Sequence, residues 1–165
     1  MHQHVYWEKQ GSHTASCRLH SLNAFFGKAK LDTGQFSSLC AKFDAKYGVK
    51  GSEAFTFFVP RTEDEPQLTN EIAFAVESLS PSYIKTRVWM PGNEEEDGKE
   101  EGGEDDAEEE ALIAQFLFDN DHVWLEKRVG RKWWLIDSRS DGPRQIKQLT
   151  RNANHGHVLV YQKAK

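Results

Sequence analysis

An acidic run in the middle of the chain most constrains how the chain can fold. Residues 93–110 hold twelve Asp and Glu residues against one Lys, a net charge of −11. Charges of one sign at this density repel one another and offer little apolar surface, so the run cannot form part of a core. We expect a disordered acidic insertion at about residues 92–110, with the core built from the segments on either side.

The rest of the chain has the composition of a globular protein. The 165 residues carry a formal charge of −5, which leaves about +6 outside the acidic run, and ten Phe and five Trp can supply a packed core. The length fits a single domain over 1–165. Because the basic residues are scattered and form no stacked aromatic and basic platform, no nucleic-acid partner is expected.

Cysteine usage and hydropathy indicate where the protein works. Cys17 and Cys40 are too few for a disulfide framework and have no CxxC spacing, which favours a reducing compartment and no metal site. The N-terminus has no signal-like segment, and no run of eighteen apolar residues occurs. We therefore expect an intracellular monomer of the cytoplasm or nucleus, without a membrane partner.

The first half of the chain has helical periodicity. Apolar residues at spacings of three and four predict a helix from Ser16 to Phe26, and a second helix capped by Thr33 and closed by Gly48. A third helix is predicted between Thr69 and Pro81. Residues 48–66 are interpreted as a loop.

The second half has strand patterns. Short β-branched and aromatic segments predict five strands, at Tyr83–Trp89, Ile113–Phe118, Val123–Arg128, Trp133–Asp137 and Val158–Gln162. Gly130 predicts a hairpin turn between two of them. Helices followed by strands predict an α+β fold, with N-terminal helices packed on a C-terminal antiparallel sheet.

Three residues have the chemistry of a cysteine nucleophile and its base. Cys17 lies in the first turn of a predicted helix, where the helix dipole favours a thiolate. The predicted hairpin brings His122, which opens one strand, near Asp137, which closes the other, so the pair can accept and hold the thiol proton. Gln10 can donate its amide to an oxyanion together with the backbone N–H of Cys17.

Each of these residues also has a structural interpretation. Cys17 alone could be a core residue, as is expected for Cys40 in the middle of a helix. His20 and His13 are alternative bases close to Cys17 in sequence. The pair His155 and His157 is interpreted as loop residues, since no partner at zinc spacing is near.

The segments W-E-K-Q (7–10) and C-R-L-H-S-L-N-A-F-F-G (17–27) resemble the N-terminal motif of Josephin domains. The stretch H-V-W-L-E-K-R-V-G-R-K-W-W-L-I-D-S (122–138) is similar to the histidine segment of that family, in which Asn or Asp follows the His by fifteen residues. The spacer between Gln10 and Cys17 is longer than in the family. The segment F-S-S-L-C-A-K-F-D (36–44) also resembles the second helix of the family, and together the matched segments cover about a quarter of the chain.

This resemblance implies a papain-like fold and a thiol-dependent deubiquitinase that needs no cofactor. It assigns Cys17, His122 and Asp137 as the catalytic triad and Gln10 as the oxyanion donor, with ubiquitin conjugates as substrates. Two alternatives stay open. One is an inactive module that binds ubiquitin, and the other is a papain-like cysteine protease with a different substrate.

Overall fold

The computed structural model describes most of the chain outside the acidic run. The predicted disorder of that run therefore lies outside the described residues, and so does Gln10. The described residues are 5–9, 17–62, 64, 67–81, 84–90, 111–119, 122–150 and 155–162.

Three helices occur in the described part, α1 (Cys17–Phe26), α2 (Thr33–Tyr47) and α3 (Glu71–Leu79), which confirms the predicted helices. The predicted cap of α2 is wrong by one residue. The Asp32 side chain accepts the Gln35 N–H at 2.8 Å, and the Gln35 side chain accepts the Asp32 N–H at 2.9 Å. This reciprocal pair satisfies two backbone groups that the helix itself leaves unbonded.

Eight strands form one sheet in which every neighbouring pair is antiparallel, in the order β1-β2-β3-β8-β4-β5-β6-β7. The five predicted strands are present, each with ends shifted by at most about two residues. The strands are β1 (Val59–Pro60), β2 (Leu68–Thr69), β3 (Ile84–Trp89), β4 (Leu112–Asp119), β5 (His122–Val129), β6 (Lys132–Ile136), β7 (Arg144–Ile146) and β8 (Gly156–Gln162).

The predicted fold class, helices packed on a C-terminal sheet in a papain-like arrangement, is wrong. The described part has three short helices and an eight-stranded antiparallel sheet, with about 34% of residues in strands and 29% in helices, so the fold is rich in sheet. The sheet also takes β1 and β2 from the segment before α3, part of which had been interpreted as a loop.

The three missed strands are too short to show a period of two. β1 and β2 have two residues each and β7 has three, so their extended conformation depends on pairing with a neighbour. Pro60 would argue against a central strand, yet it is tolerated in β1 because β1 lies at the edge of the sheet.

Helix α1 packs along β5, and this contact positions the candidate site. Ser21 donates its hydroxyl to the Val123 carbonyl at 3.4 Å, and Lys127 donates its ammonium to the Ala24 carbonyl at 3.1 Å. The earlier residue of α1 contacts the earlier residue of β5, and the later residue contacts the later one. The first residue of α1 therefore lies toward the beginning of β5.

Candidate active site

Cys17 is the first residue of α1, and it is 3% exposed. The start of a helix presents unbonded N–H groups and the positive end of the dipole, both of which favour a thiolate. The Cys17 sulfur also interacts with the His122 ring and the backbone of Val123, the first two residues of β5. Neither cysteine of the chain forms a disulfide.

His122 and Asp137 lie together at one end of the β5–β6 hairpin. The His122 Nε2 is 2.8 Å from the Asp137 Oδ1, and the side chains are 12% and 24% exposed. The register of the hairpin pairs Leu125 with Ile136. Continued by one residue, this register places Asp137 diagonally opposite His122 on the same face of the sheet, which is within contact distance for these side chains.

The ring of His122 is fixed in orientation by its neighbours. Its Nε2 is bonded to Asp137, so the buried Nδ1 is the nitrogen that remains for the Cys17 sulfur. On one side Trp124 stacks on the imidazole, with ring centroids 5.8 Å apart and an interplanar angle of 26°. A base whose second nitrogen is held by a carboxylate is the arrangement that nucleophilic catalysis requires.

Cys17 and His122 change each other's affinity for protons. Burial raises the pKa of the Cys17 thiol, but hydrogen bonds with His122 and the Val123 backbone, and the charges of His122 and Arg18, bring the pKa below its ordinary value. Burial lowers the pKa of His122, but Asp137 and Cys17 outweigh it and raise this pKa to about 9. Both shifts favour a thiolate beside an imidazolium over a neutral thiol beside a neutral imidazole.

Asp137 is held through its side chain and its backbone. Besides His122, Oδ1 accepts the Arg139 N–H at 2.9 Å. The carbonyl oxygen accepts the Ser140 N–H at 3.0 Å, the Ser140 hydroxyl at 2.7 Å and the Trp7 indole N–H at 3.0 Å. Burial raises the pKa of Asp137, but the bonds from His122 and Arg139 lower it below the ordinary value. The carboxylate stays ionised and stabilises the imidazolium.

The structure brings together three of the four predicted site residues. Gln10, the predicted oxyanion donor, lies outside the described residues, as does His13, an alternative base. His20, the other alternative base, is occupied elsewhere, because its Nδ1 lies 2.6 Å from the Glu8 Oε1.

The two histidines near the C-terminus have different surroundings. The His155 Nε2 is 3.8 Å from the Asp119 Oδ2, and its ring meets Trp124 edge-on at 5.4 Å. His157 is buried within β8 and stacks on Trp89 at 4.7 Å. The interpretation of His157 as a loop residue is wrong, since β8 begins two residues earlier than its apolar pattern indicates.

Two further features of the described residues bear on function. Within them, no group of three or more His, Cys, Asp or Glu side chains could hold a metal ion. None of the helices in the same part of the chain is both long and apolar enough to cross a membrane.

No model of a protein family matches the chain, and no curated protein matches it significantly.

Several contacts at the site were not found from the sequence. These contacts are made by the Val123 backbone, the Arg139 N–H and the Trp7 indole. They form only when α1, the hairpin and the N-terminal segment pack together, so their partners are not evident from the sequence. Trp124 could have been suggested by its position two residues after His122, because residues i and i+2 of a strand share a face.

Proposed function

We propose that the chain is a thiol-dependent deubiquitinase that hydrolyses ubiquitin conjugates. The observation that carries the proposal is the 2.8 Å contact between His122 and Asp137 beside a buried thiol at the start of a helix. The choice of ubiquitin as substrate rests on the resemblance of the 7–10, 17–27 and 122–138 segments to Josephin domains.

The reaction would be acyl transfer through a thioester. The Cys17 thiolate attacks the carbonyl carbon at the C-terminus of ubiquitin, forming a C–S bond and a tetrahedral oxyanion. The backbone N–H of Cys17 and the Gln10 amide are proposed to stabilise this oxyanion. As the C–N bond breaks, the His122 imidazolium gives its proton to the departing lysine amine.

Water completes the cycle. Neutral His122 takes a proton from a water molecule, whose oxygen attacks the thioester carbon, and the C–S bond breaks to restore the thiolate. The products are free ubiquitin and the lysine side chain of the former conjugate. Asp137 orients His122 in both steps and stabilises its charged form.

Mass spectrometry with a ubiquitin that carries a C-terminal electrophile tests the proposal. We expect one covalent adduct on native protein, none on Cys17→Ala, and labelling slowed by about 10²- to 10⁴-fold in His122→Ala. Cys40→Ala is the matched control, because this second buried thiol has a pKa raised to about 11 by burial and should not react. The Cys40→Ala variant should form the adduct at the same rate as native protein.

Other results would point to the alternatives. If native protein forms no adduct but binds unmodified ubiquitin, it is a binding module rather than an enzyme. If it neither reacts with nor binds ubiquitin, while Cys17 still reacts with small thiol reagents, the substrate is not ubiquitin. Labelling that does not depend on His122 would contradict the triad.

A further inference from the structure

Residues 5–9 form a segment outside the helices and strands, here called the N-terminal strap, that contacts two parts of the candidate active site. Alternate residues of the strap make different contacts. Tyr6 and Glu8 interact on the side of α1, whereas Trp7 and Lys9 reach the turn that follows β6. The strap therefore connects the helix that begins with the nucleophile to the turn that contains Asp137.

Glu8 fixes the strap to α1. One carboxylate oxygen lies 2.6 Å from the His20 Nδ1, and both oxygens accept from the Asn23 amide at 3.2 and 3.3 Å. The Tyr6 hydroxyl also donates to this carboxylate, which raises the pKa of Tyr6 to about 12. Burial raises the pKa of Glu8, but these three partners lower it below the ordinary value, so Glu8 remains an anion that holds all of them.

The other end of the strap contacts residues 137–140. The Trp7 Nε1 donates to the Asp137 carbonyl at 3.0 Å, and the Lys9 ammonium donates to the Ser140 carbonyl at 3.0 Å. The remaining bonds to the Asp137 carbonyl come from Ser140, within the same turn. The strap therefore adds bonds from outside this turn to the backbone carbonyls of Asp137 and Ser140.

We propose that Trp7 is a positioning residue, which holds the Asp137 carboxylate against His122 by anchoring the Asp137 peptide group to the strap. This inference rests on the proposed function, because it assigns Trp7 a part in maintaining the thiolate and imidazolium pair. The indole is half-buried and packs against the main core, so its N–H approaches the carbonyl from a fixed direction. A positioning residue of this kind acts through Asp137 and His122 without touching the substrate.

The test is the pH dependence of Cys17 alkylation by iodoacetamide, measured by mass spectrometry of the Cys17 peptide. The probe needs no ubiquitin, so it reports on the thiolate itself. In Trp7→Phe, which keeps an aromatic ring but removes the donor, His122 is held less firmly as an imidazolium and stabilises the thiolate less, so the acid limb should move to higher pH. The rate at pH 6 should fall about two- to tenfold, the factor that corresponds to one net hydrogen bond.

Trp134→Phe is the matched control. Trp134 also packs against the main core, and its buried Nε1 has no hydrogen-bond partner among the described residues. Trp134→Phe makes the same replacement of an indole by a phenyl ring but removes no hydrogen bond at the site. Its pH profile of alkylation should therefore equal that of native protein. A native profile in Trp7→Phe, or an equal shift in Trp134→Phe, would overturn the inference.

The failure of this inference can be distinguished from failure of the proposed function. If Cys17 of the native protein shows no reactivity at low pH, Cys17 is not a thiolate there, and the proposed function is contradicted. If native protein has that reactivity and Trp7→Phe retains it unchanged, only the role of Trp7 is wrong.

Should Trp7→Phe not fold, Lys9→Met gives the same test on an exposed side chain. An acid limb moved to higher pH would support positioning by the strap, and an unchanged profile would refute it.

Discussion

At the scale of single residues, the chemistry depends on one proton shared between Cys17 and His122. The lowered pKa of the thiol and the raised pKa of the imidazole, about 9, define a pH interval in which the ion pair exists. Below the interval the thiolate gains a proton, and above it the imidazolium loses the proton that the departing amine needs. The rate of hydrolysis of a ubiquitin conjugate should therefore follow a bell-shaped curve whose apparent pKa values belong to the pair.

Asp137→Asn tests the source of the alkaline limb. The amide retains a hydrogen-bond acceptor but removes the charge that raises the pKa of His122, so this limb should move from about pH 9 to lower pH. A carboxylate at contact distance accounts for about one to three pH units. The pH dependence of kcat/KM for hydrolysis of a ubiquitin conjugate measures the shift. An unchanged limb would mean that Asp137 does not control His122.

At the scale of elements, α2 shows how a side chain sets the start of a helix. The Asp32 carboxylate and the Gln35 amide exchange hydrogen bonds with each other's backbone, so Asp32 rather than Thr33 is the cap. Asp32→Ala should lower the free energy of unfolding by about 1 kcal/mol. Thr33→Ala, on the neighbouring exposed residue, should change it by less than about 0.5 kcal/mol. Urea denaturation compares the two, and equal losses would contradict the assignment of the cap.

At the scale of the whole molecule, a buried ion pair joins α1, α3 and the segment between α2 and β1. The Arg18 guanidinium lies 2.9 Å from the Glu71 carboxylate, and their side chains are 6% and 1% exposed. Arg18 also donates to the Ser52 and Glu53 carbonyls, while Glu71 accepts the Thr56 hydroxyl at 2.9 Å. Burial raises the pKa of Glu71, and Arg18 offsets this only in part.

Loss of the charge of Glu71 should therefore destabilise the whole fold. Glu71→Gln leaves Arg18 buried without its anion, and we expect the free energy of unfolding to fall by about 3–5 kcal/mol. Glu77→Gln is the control on the same helix, since its pair with Arg61 is more exposed and should contribute about 0–1 kcal/mol. Similar losses in the two variants, measured by urea denaturation, would show that burial does not set the contribution of the pair.

Features that depend on residues close together in the chain could be predicted from the sequence. Apolar spacing identified the three helices, and β-branched segments identified five strands. The hairpin turn at Gly130, where φ is +69°, allowed the contact between His122 and Asp137 to be anticipated, because strand period and turn length together fix which residues share a face.

Contacts between distant parts of the chain could not be predicted in this way and are known from the folded structure. The extended sheet includes strands of two and three residues that exist because a neighbour pairs with them, which is why the predicted balance of helix and sheet was wrong. The bonds from Trp7 to Asp137 and from Arg18 to Glu71 span 130 and 53 residues. Local patterns cannot encode such partners, since each depends on how several elements pack at once.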